Sequence, residues 1–216
     1  DLYLCVVYED DISEALSIYY LLLDPGIFSS RNYNGLFNRF VNERDEELGF
    51  NFLPAFCELK GKEYVVFQAR IKGEQTGYQL YVKMSTDQGR TWTRAAIISD
   101  FNEVISDREK DAYEFDNQRP FIAGIDNNIY VVWERKHRMT STQVYSATLS
   151  LDGEIISRER ITTKNFTSLS PQFFAYNNEH YILWFESTGK DQIKIAKKGA
   201  ARWEENNLSY TIPGDS

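Results

Sequence analysis

Apolar and polar positions along this chain form short runs bounded by turn residues, and one order of runs recurs three times. The first instance is Leu53-Pro54-Ala55-Phe56, then Glu63-Tyr64-Val65-Val66-Phe67-Gln68, then the alternating segment Gly77-Tyr78-Gln79-Leu80-Tyr81-Val82-Lys83-Met84. The second is Arg119-Pro120-Phe121-Ile122, then Ile129-Tyr130-Val131-Val132-Trp133-Glu134, then Gln143 to Gly153. The third is Ser170-Pro171-Gln172-Phe173, then His180-Tyr181-Ile182-Leu183-Trp184-Phe185, then Gln192-Ile193-Lys194-Ile195-Ala196 and Trp203. Runs this short, rich in Val, Ile, Tyr and Trp, read as strands, and each unit is expected to hold four, designated a to d. Each proline is expected to open strand a, where a missing ladder donor is tolerated. Phe67, Trp133 and Trp184, near the end of strand b, are expected to pack between neighbouring units. The first fifty or so residues fit a partial unit, with Cys5-Val6-Val7-Tyr8-Glu9 as strand b, Ser17 to Leu23 as strand c and no strand a.

One turn is more specific than the rest. Ser85-Thr86-Asp87-Gln88-Gly89-Arg90-Thr91-Trp92 links the first alternating segment to Ala95-Ala96-Ile97-Ile98 and reads as a hairpin tip. Asp87 is placed to accept hydrogen bonds from turn N–H groups, Gly89 to take a positive φ, and Ser85 to bond back to the turn. Trp92 is placed to fold its ring beneath the hairpin. The octet fits S-x-D-x-G-x-x-W at every specified position and resembles the Asp-box (BNR) repeat of sialidases and related β-propellers. Ser150-Leu151-Asp152-Gly153, and Lys198-Gly199 with Trp203, look like worn copies. The resemblance implies an all-β fold of β-propeller blades, each a four-stranded antiparallel unit, belonging to a larger sialidase-like propeller of about six or seven blades. The units fall at about 1–48 (partial), 49–101, 116–166 and 167–216, one propeller region over the whole chain. An open β-sandwich of the same hairpins is the structural alternative.

Composition narrows the partners. Aromatic residues make up 15% of the chain, as β-rich sequences favour. The net charge of −8 disfavours nucleic acid and anionic membranes. No apolar run reaches membrane-spanning length. Cys5 and Cys57 match no common zinc spacing, so buried thiols are the expectation and their disulfide state stays open. His137 and His180 are too far apart in the pattern to suggest a metal pair, and no phosphate loop or Ser-His-Asp cue is present. Asn165-Phe166-Thr167 and Asn207-Leu208-Ser209 fit the glycosylation acceptor pattern, which matters only in a secreted eukaryotic protein.

Candidate chemistry gathers at one end of the units. The d-to-a connections Val41 to Gly49 and Asp100 to Asn117 are long and acidic; the second carries Asp100, Glu103, Asp107, Glu109, Asp111, Glu114 and Asp116. They read either as a solvated rim or as a face that attracts polyhydroxylated ligands or a Ca²⁺ ion, although no D-x-D-x-D-G loop is present. The ends of strand b add Glu9, Gln68, Glu134 and Glu186, followed by Asp10, Arg70 and Arg135. Ligand-binding candidates are therefore Arg70, Asp116, Arg119, Glu134, Arg135, Glu186 and Tyr113, with Tyr8, Phe115, Trp133 and Trp184 as stacking surfaces or as core between blades, core being the stronger expectation for each Trp. Sialidases read a substrate carboxylate with three arginines and use a Tyr assisted by a Glu, plus an Asp as acid/base. Arg70, Arg119 and Arg135 are the arginines placed for such a role here, but the family's F/Y-R-I-P motif does not stand in this chain. Shared architecture does not transfer activity.

Three functions remain. The first is an extracytoplasmic recognition or sensor propeller, secreted, periplasmic or exported, binding glycan, peptide or a small ligand through its acidic loop face without a cofactor. The second is a sialidase-like glycoside hydrolase, with Glu134 and Arg119 as catalytic candidates. The third is a structural propeller for protein contact. The pattern favours the first, because a motif-bearing scaffold stands without a recognisable catalytic set. The missing strand a suggests an excerpt of a longer propeller, whose strand edge from Leu4 to Tyr8 is apolar and invites pairing. Residues 1–216 produced alone are accordingly expected to self-associate, unless further blades or a partner cover that edge. Light scattering checks this, and a cooperatively melting monomer would contradict it.

Overall fold

The computed structural model describes the backbone of residues 2–10, 15–23, 37–40, 47–72, 77–99, 115–137, 141–164, 166–189, 191–199 and 202–211, and the side chains of these from 47 onward except 50, 52, 137 and 206–211. Fifteen strands and no helix lie among the described residues. Every sheet is an antiparallel meander in which neighbours in sequence are neighbours in space. The first holds β1 (Leu2–Asp10), β2 (Ala15–Leu23) and β3 (Phe37–Phe40). The second holds β4 (Leu48–Leu59), β5 (Lys62–Ile71), β6 (Gln79–Ser85) and β7 (Ala96–Ile97). The third holds β8 (Phe115–Ile125), β9 (Asn128–His137), β10 (Gln143–Ser150) and β11 (Ile155–Arg160). The fourth holds β12 (Thr167–Tyr176), β13 (Glu179–Ser187), β14 (Asp191–Lys198) and β15 (Trp203–Thr211).

The sheets stack face to face, and alternation along a strand decides which side chain enters which interface. On β9, Ile129, Val131 and Trp133 join Tyr64, Val66, Leu80 and Val82 of the second sheet in one core. Their neighbours Tyr130 and Val132 turn to the other side and join Phe173, Ile182, Trp184 and Trp203 of the fourth. β9, like β5, is thus buried on both faces, which is why each reads as an unbroken apolar run, whereas β13 is buried at Ile182, Trp184 and Glu186 and half-buried on its other face. Trp133 and Trp184 each pack on the preceding blade, as expected between neighbouring units. Phe67 clusters with Leu48, Val65, Ala69, Tyr81 and Trp92 on the far face of its own sheet.

The first strands β4, β8 and β12 form the line along which successive sheets meet. Here the prolines correct an expectation. None opens its strand: Pro54, Pro120 and Pro171 lie within β4, β8 and β12. Each sits in a bulge where three steps on the first strand match two on the second: Phe52↔Gln68 to Ala55↔Val66, Gln118↔Glu134 to Phe121↔Val132, and Leu169↔Phe185 to Gln172↔Leu183. The residue before each proline has a left-handed backbone, with φ of 49° at Leu53, 50° at Arg119 and 51° at Ser170. A bulge leaves its extra residues outside the ladder, so a proline without an N–H costs no bond there. Lower down, Gly124 of β8 passes so close to β4 that a Cβ would lie 2.8 Å from the Leu59 Cβ.

The octet folds as a self-bonded tip. Ser85 Oγ accepts from Gly89 N at 2.8 Å and from Asp87 N at 3.3 Å. Asp87 accepts from Thr91 N at 2.8 Å and from the Thr91 hydroxyl at 2.7 Å, while Gln88 and Gly89 both take positive φ. Ser150 repeats the serine pattern with Asp152 N and Glu154 N, each at 3.2 Å, but Asp152 turns its carboxylate to Lys62 Nζ at 2.8 Å. Partial burial raises the Asp87 carboxyl, and hydrogen bonds from Thr91 N–H, the Thr91 and Ser85 hydroxyls and Arg90 N–H outweigh it, so its pKa is held below the usual range. A depressed carboxyl stabilises the fold above its unfolded pKa and loses that contribution as pH falls through the folded value. Asp87→Asn is therefore expected to cost about 1 kcal/mol near neutral pH and progressively less in acid. Urea melts of both proteins across the acid range measure the difference, which a pH-independent gap would contradict.

Candidate functional site

Three bulges at one height of three adjacent inner strands must surround a common space. They line a cleft of about 270 Å³ whose walls are Leu53, Pro54, Arg119, Pro120, Phe121, Ser170, Pro171 and Gln172. Five of the eight are apolar, and Arg119 is the one charged residue among them. Its side chain is 56% exposed, and its Nη1 donates to Glu134 Oε2 at 3.1 Å. Glu134 itself is fully buried. It also accepts from Gln118 Nε2 at 2.9 Å and, through Oε1, from the backbone N–H of Ser170 in the next blade at 2.7 Å. One carboxylate thus fixes the guanidinium at the cleft and the bulge of the adjoining sheet. Three donors compensate its burial.

The remaining candidates separate. Gln68 holds on β5 the register that Glu134 holds on β9, opposite the residue before the bulge. It is 2% exposed, and its Oε1 has no hydrogen-bond partner among the described residues. Glu186 does not belong with them: Phe185 occupies that register, Glu186 pairs with Ser168, and strand alternation turns it to the opposite face, where Lys194 lies 3.8 Å away. Arg135, expected just past the end of strand b, lies within β9 and is buried, with its guanidinium 4.0 Å from the centre of the Phe115 ring and 5.3 Å from that of Tyr145. Asp116 accepts from Tyr78 N at 3.1 Å, and Arg70 lies over the Tyr78 ring, so both stand at the end of the blades above the cleft, not in it. Asn117 ties the same corner together: it accepts from Trp133 Nε1 at 2.9 Å and donates to Tyr78 O and Gln79 Oε1. Trp133 and Trp184 are core, not stacking surfaces.

Tyr113, the acidic stretch 100–114, most of 41–49 and the side chains of Tyr8, Glu9 and Asp10 lie outside the described residues. Among the described residues no three His, Cys, Asp or Glu are grouped to hold a metal ion, and no helix is long and apolar enough to cross a membrane. Cys57 is a free thiol whose pKa is pushed up to about 12 by burial and by Glu58, which makes it a poor nucleophile. The cleft residues Leu53, Pro54, Phe121, Ser170 and Gln172, and the clamp residue Gln118, were not singled out from sequence as a site. Their signal was the x-Pro pair at the same place in three units, since a proline within a sheet marks an edge, a strand start or a bulge.

No protein-family model matches the chain, and no curated protein matches it in sequence. Solved structures do resemble it. An α-L-arabinanase of Penicillium chrysogenum, complexed with arabinobiose, superposes with a TM-score of 0.60 at 15% identity, over 94% of this chain and 58% of its own. The α-L-arabinofuranosidase of Lactobacillus brevis gives 0.52 at 12%, over 95% and 72%. GH43B of the Bacteroides ovatus xyloglucan PUL gives 0.52 at 13%, over 95% and 38%, so this chain spans well under half of that protein's length. These are five-bladed propellers and not of the Asp-box sialidase type. The chain is all-β and has the fold of part of a β-propeller.

Because Glu134 serves three donors at once, Glu134→Gln, with one acceptor oxygen, is expected to lower stability by about 2 kcal/mol. Arg119→Ala should cost about 1 kcal/mol or less, the guanidinium being more than half exposed. Urea melts of the two variants check the order, and equal small losses would show that the clamp does not hold the blades.

Proposed function

We propose that the protein is a glycan-acting β-propeller of the glycoside-hydrolase kind, with sugar bound at the cleft between the inner strands β4, β8 and β12. The observation that supports it is the cleft itself: a shallow site with five apolar and three polar residues, Arg119 among them held by Glu134, suits a sugar ring that is apolar on its faces and hydroxylated at its rim. The solved structures with this fold support it further, because those named above are an arabinanase, an arabinofuranosidase and a GH43 protein. Carbohydrate is thereby preferred over peptide as the ligand, and an extracytoplasmic site of action suits a glycan substrate. The Asp-box reading of Ser85 to Trp92 is retained for the turn alone, supported by its hydrogen bonding, on a scaffold whose likenesses have five blades.

A second reading has its own observation. Glycoside hydrolysis generally uses two carboxyl groups about 5–9.5 Å apart, and none of the eight cleft residues is Asp or Glu. Glu134, the carboxylate behind the cleft, is fully buried and committed to three donors. Binding without turnover is the function these blades support if residues outside the described set supply no acid and base. Incubating the protein with 4-nitrophenyl α-L-arabinofuranoside and arabino-oligosaccharides, with calorimetry in parallel, separates the outcomes. Product release supports the hydrolase, heat without product the recognition module, and neither overturns the glycan reading.

A further inference from the structure

We infer that the outer face of the fourth sheet is a docking surface for one more antiparallel β-sheet of the same propeller, which meets it at Phe174, Tyr181, Leu183, Phe185, Ile193 and Ile195 as the third sheet meets the second. Along β9 one set of side chains faces the sheet before it and the alternate set the sheet after it. On β5 the set facing the next sheet is Tyr64 and Val66, both 0% exposed. On β9 it is Tyr130 and Val132, 7% and 0% exposed. On β13 the same places hold Tyr181 and Leu183, which are only half-buried. The first strands repeat the contrast. Phe121, Ala123 and Ile125 of β8 pack into the core between the third and fourth sheets. Gln172, Phe174 and Tyr176 hold those registers on β12, where Gln172 is exposed and Tyr176 is 65% exposed.

This outer face is no less apolar than the covered ones. Val144 and Ser146 of β10 stand opposite Glu134 and Val132, whereas Ile193 and Ile195 of β14 stand opposite Phe185 and Leu183. A strand with one face in water alternates polar with apolar residues. On β13, Tyr181, Leu183 and Phe185 alternate instead with Ile182 and Trp184, as in a strand covered on both sides. Glu179 and Lys197 form an ion pair at the Tyr181 end of the patch, and apolar surface with a polar rim marks a contact site. The kind of partner follows from what covers the equivalent faces: Ile129, Val131 and Trp133 lie on that of the second sheet, and Ile182, Trp184 and Trp203 on that of the third. The occupant is therefore a sheet whose second strand offers branched aliphatic residues and a tryptophan. It also brings an acceptor for the tyrosine. The Tyr64 hydroxyl donates to Leu151 O of the next sheet at 2.6 Å, while the Tyr181 hydroxyl donates to Glu179 Oε2 of its own strand. A second copy of the chain offers no such face among the described residues, because the corresponding faces of its second, third and fourth sheets are already buried.

The test supplies such a sheet by repeating residues 166–211 after Ser216. Residues 212–216 and the repeated 166 then form a connection as long as 161–166, which joins β11 to β12. Leu183→Cys in the original sheet is labelled with a maleimide, in this extended chain and in residues 1–216, and the rate is read at its peptide by mass spectrometry. Ile156→Cys, at a residue 60% exposed on β11, is the reactive control. In residues 1–216 the thiol at Leu183 is expected to label no more than about 5-fold slower than the control, and in the extended chain at least about 10-fold slower again, as a covered site does. Trp184→Ser in the added sheet alone should return the fast rate. Slow labelling in residues 1–216 would overturn the inference, through a second copy if light scattering shows a dimer and through another part of the chain if it shows a monomer. Fast labelling in the extended chain would overturn it equally, whether amide exchange finds the added sheet folded or not, because the added sheet needs that face in order to fold.

Discussion

Burial of the second strands β5 and β9 on both faces is the constraint on which the rest of the structure depends. A two-stranded hairpin or a sheet with one wet face would not use Ile129, Val131 and Trp133 on one side and Tyr130 and Val132 on the other. Each fully buried side chain of this size contributes about 1.5–3 kcal/mol, so one β9 strand commits both adjoining sheets. The sheets must then stack as blades, and their first strands are brought edge to edge around a shared axis. The cleft is a consequence of that stacking, because three bulges in register on three such strands face one space.

Polar groups lock what apolar stacking brings together. The Ser170 N–H is freed by its bulge from the ladder and is satisfied by Glu134 of the neighbouring blade. Tyr64 and Lys62 of the second sheet reach Leu151 O and Asp152 of the third at the opposite end, at 2.6 and 2.8 Å. Arg158 of the outer strand β11 donates to Ile98 O at 2.9 Å. Apolar faces can slide by a residue at small cost, whereas these pairings cannot, so register between blades is set by hydrogen bonds at the inner, outer and turn edges. Of the residues with left-handed backbone before the prolines, Ser170 is held through its N–H and Arg119 through its guanidinium, both by Glu134.

The blade pattern was legible because burial on both faces writes itself into sequence as an apolar run ending in Phe67, Trp133 or Trp184. The tip at Ser85 to Trp92 was legible for a different reason: its hydrogen bonds are local, and local bonds need fixed spacing. The site was less so. Arg119 and Glu134 stood out as charges near a strand end, but their partnership is set by cross-strand register, which a bulge shifts by one residue. Glu186 was misplaced for a simpler reason: it stands one residue beyond the position of Gln68 and Glu134, which Phe185 occupies on β13, and one residue along a strand is the opposite face. Arg135 was expected past the end of strand b as a ligand-binding charge, but the rings of Phe115 and Tyr145 accept its planar cation inside the sheet stack. The prolines were seen but assigned to strand starts, since a ladder without a bulge has no other place for them.

The chemistry of the cleft follows from which residue types the bulges carry. A bulge re-aims one side chain per strand into the channel, and here the three residues before the prolines are Leu53, Arg119 and Ser170. An apolar group, a cation and a small hydroxyl offer a ligand shape, one strong donor and little else. No proton donor of carboxylic type is among them, and the buried carboxylate that stands closest already serves Arg119, Gln118 and the Ser170 backbone. Withdrawing it for proton transfer would release all three partners and loosen the contact between two blades. Structural duty and acid–base duty are therefore opposed at Glu134. On the hydrolase reading proposed above, the acid and base come from residues other than the eight that line the cleft.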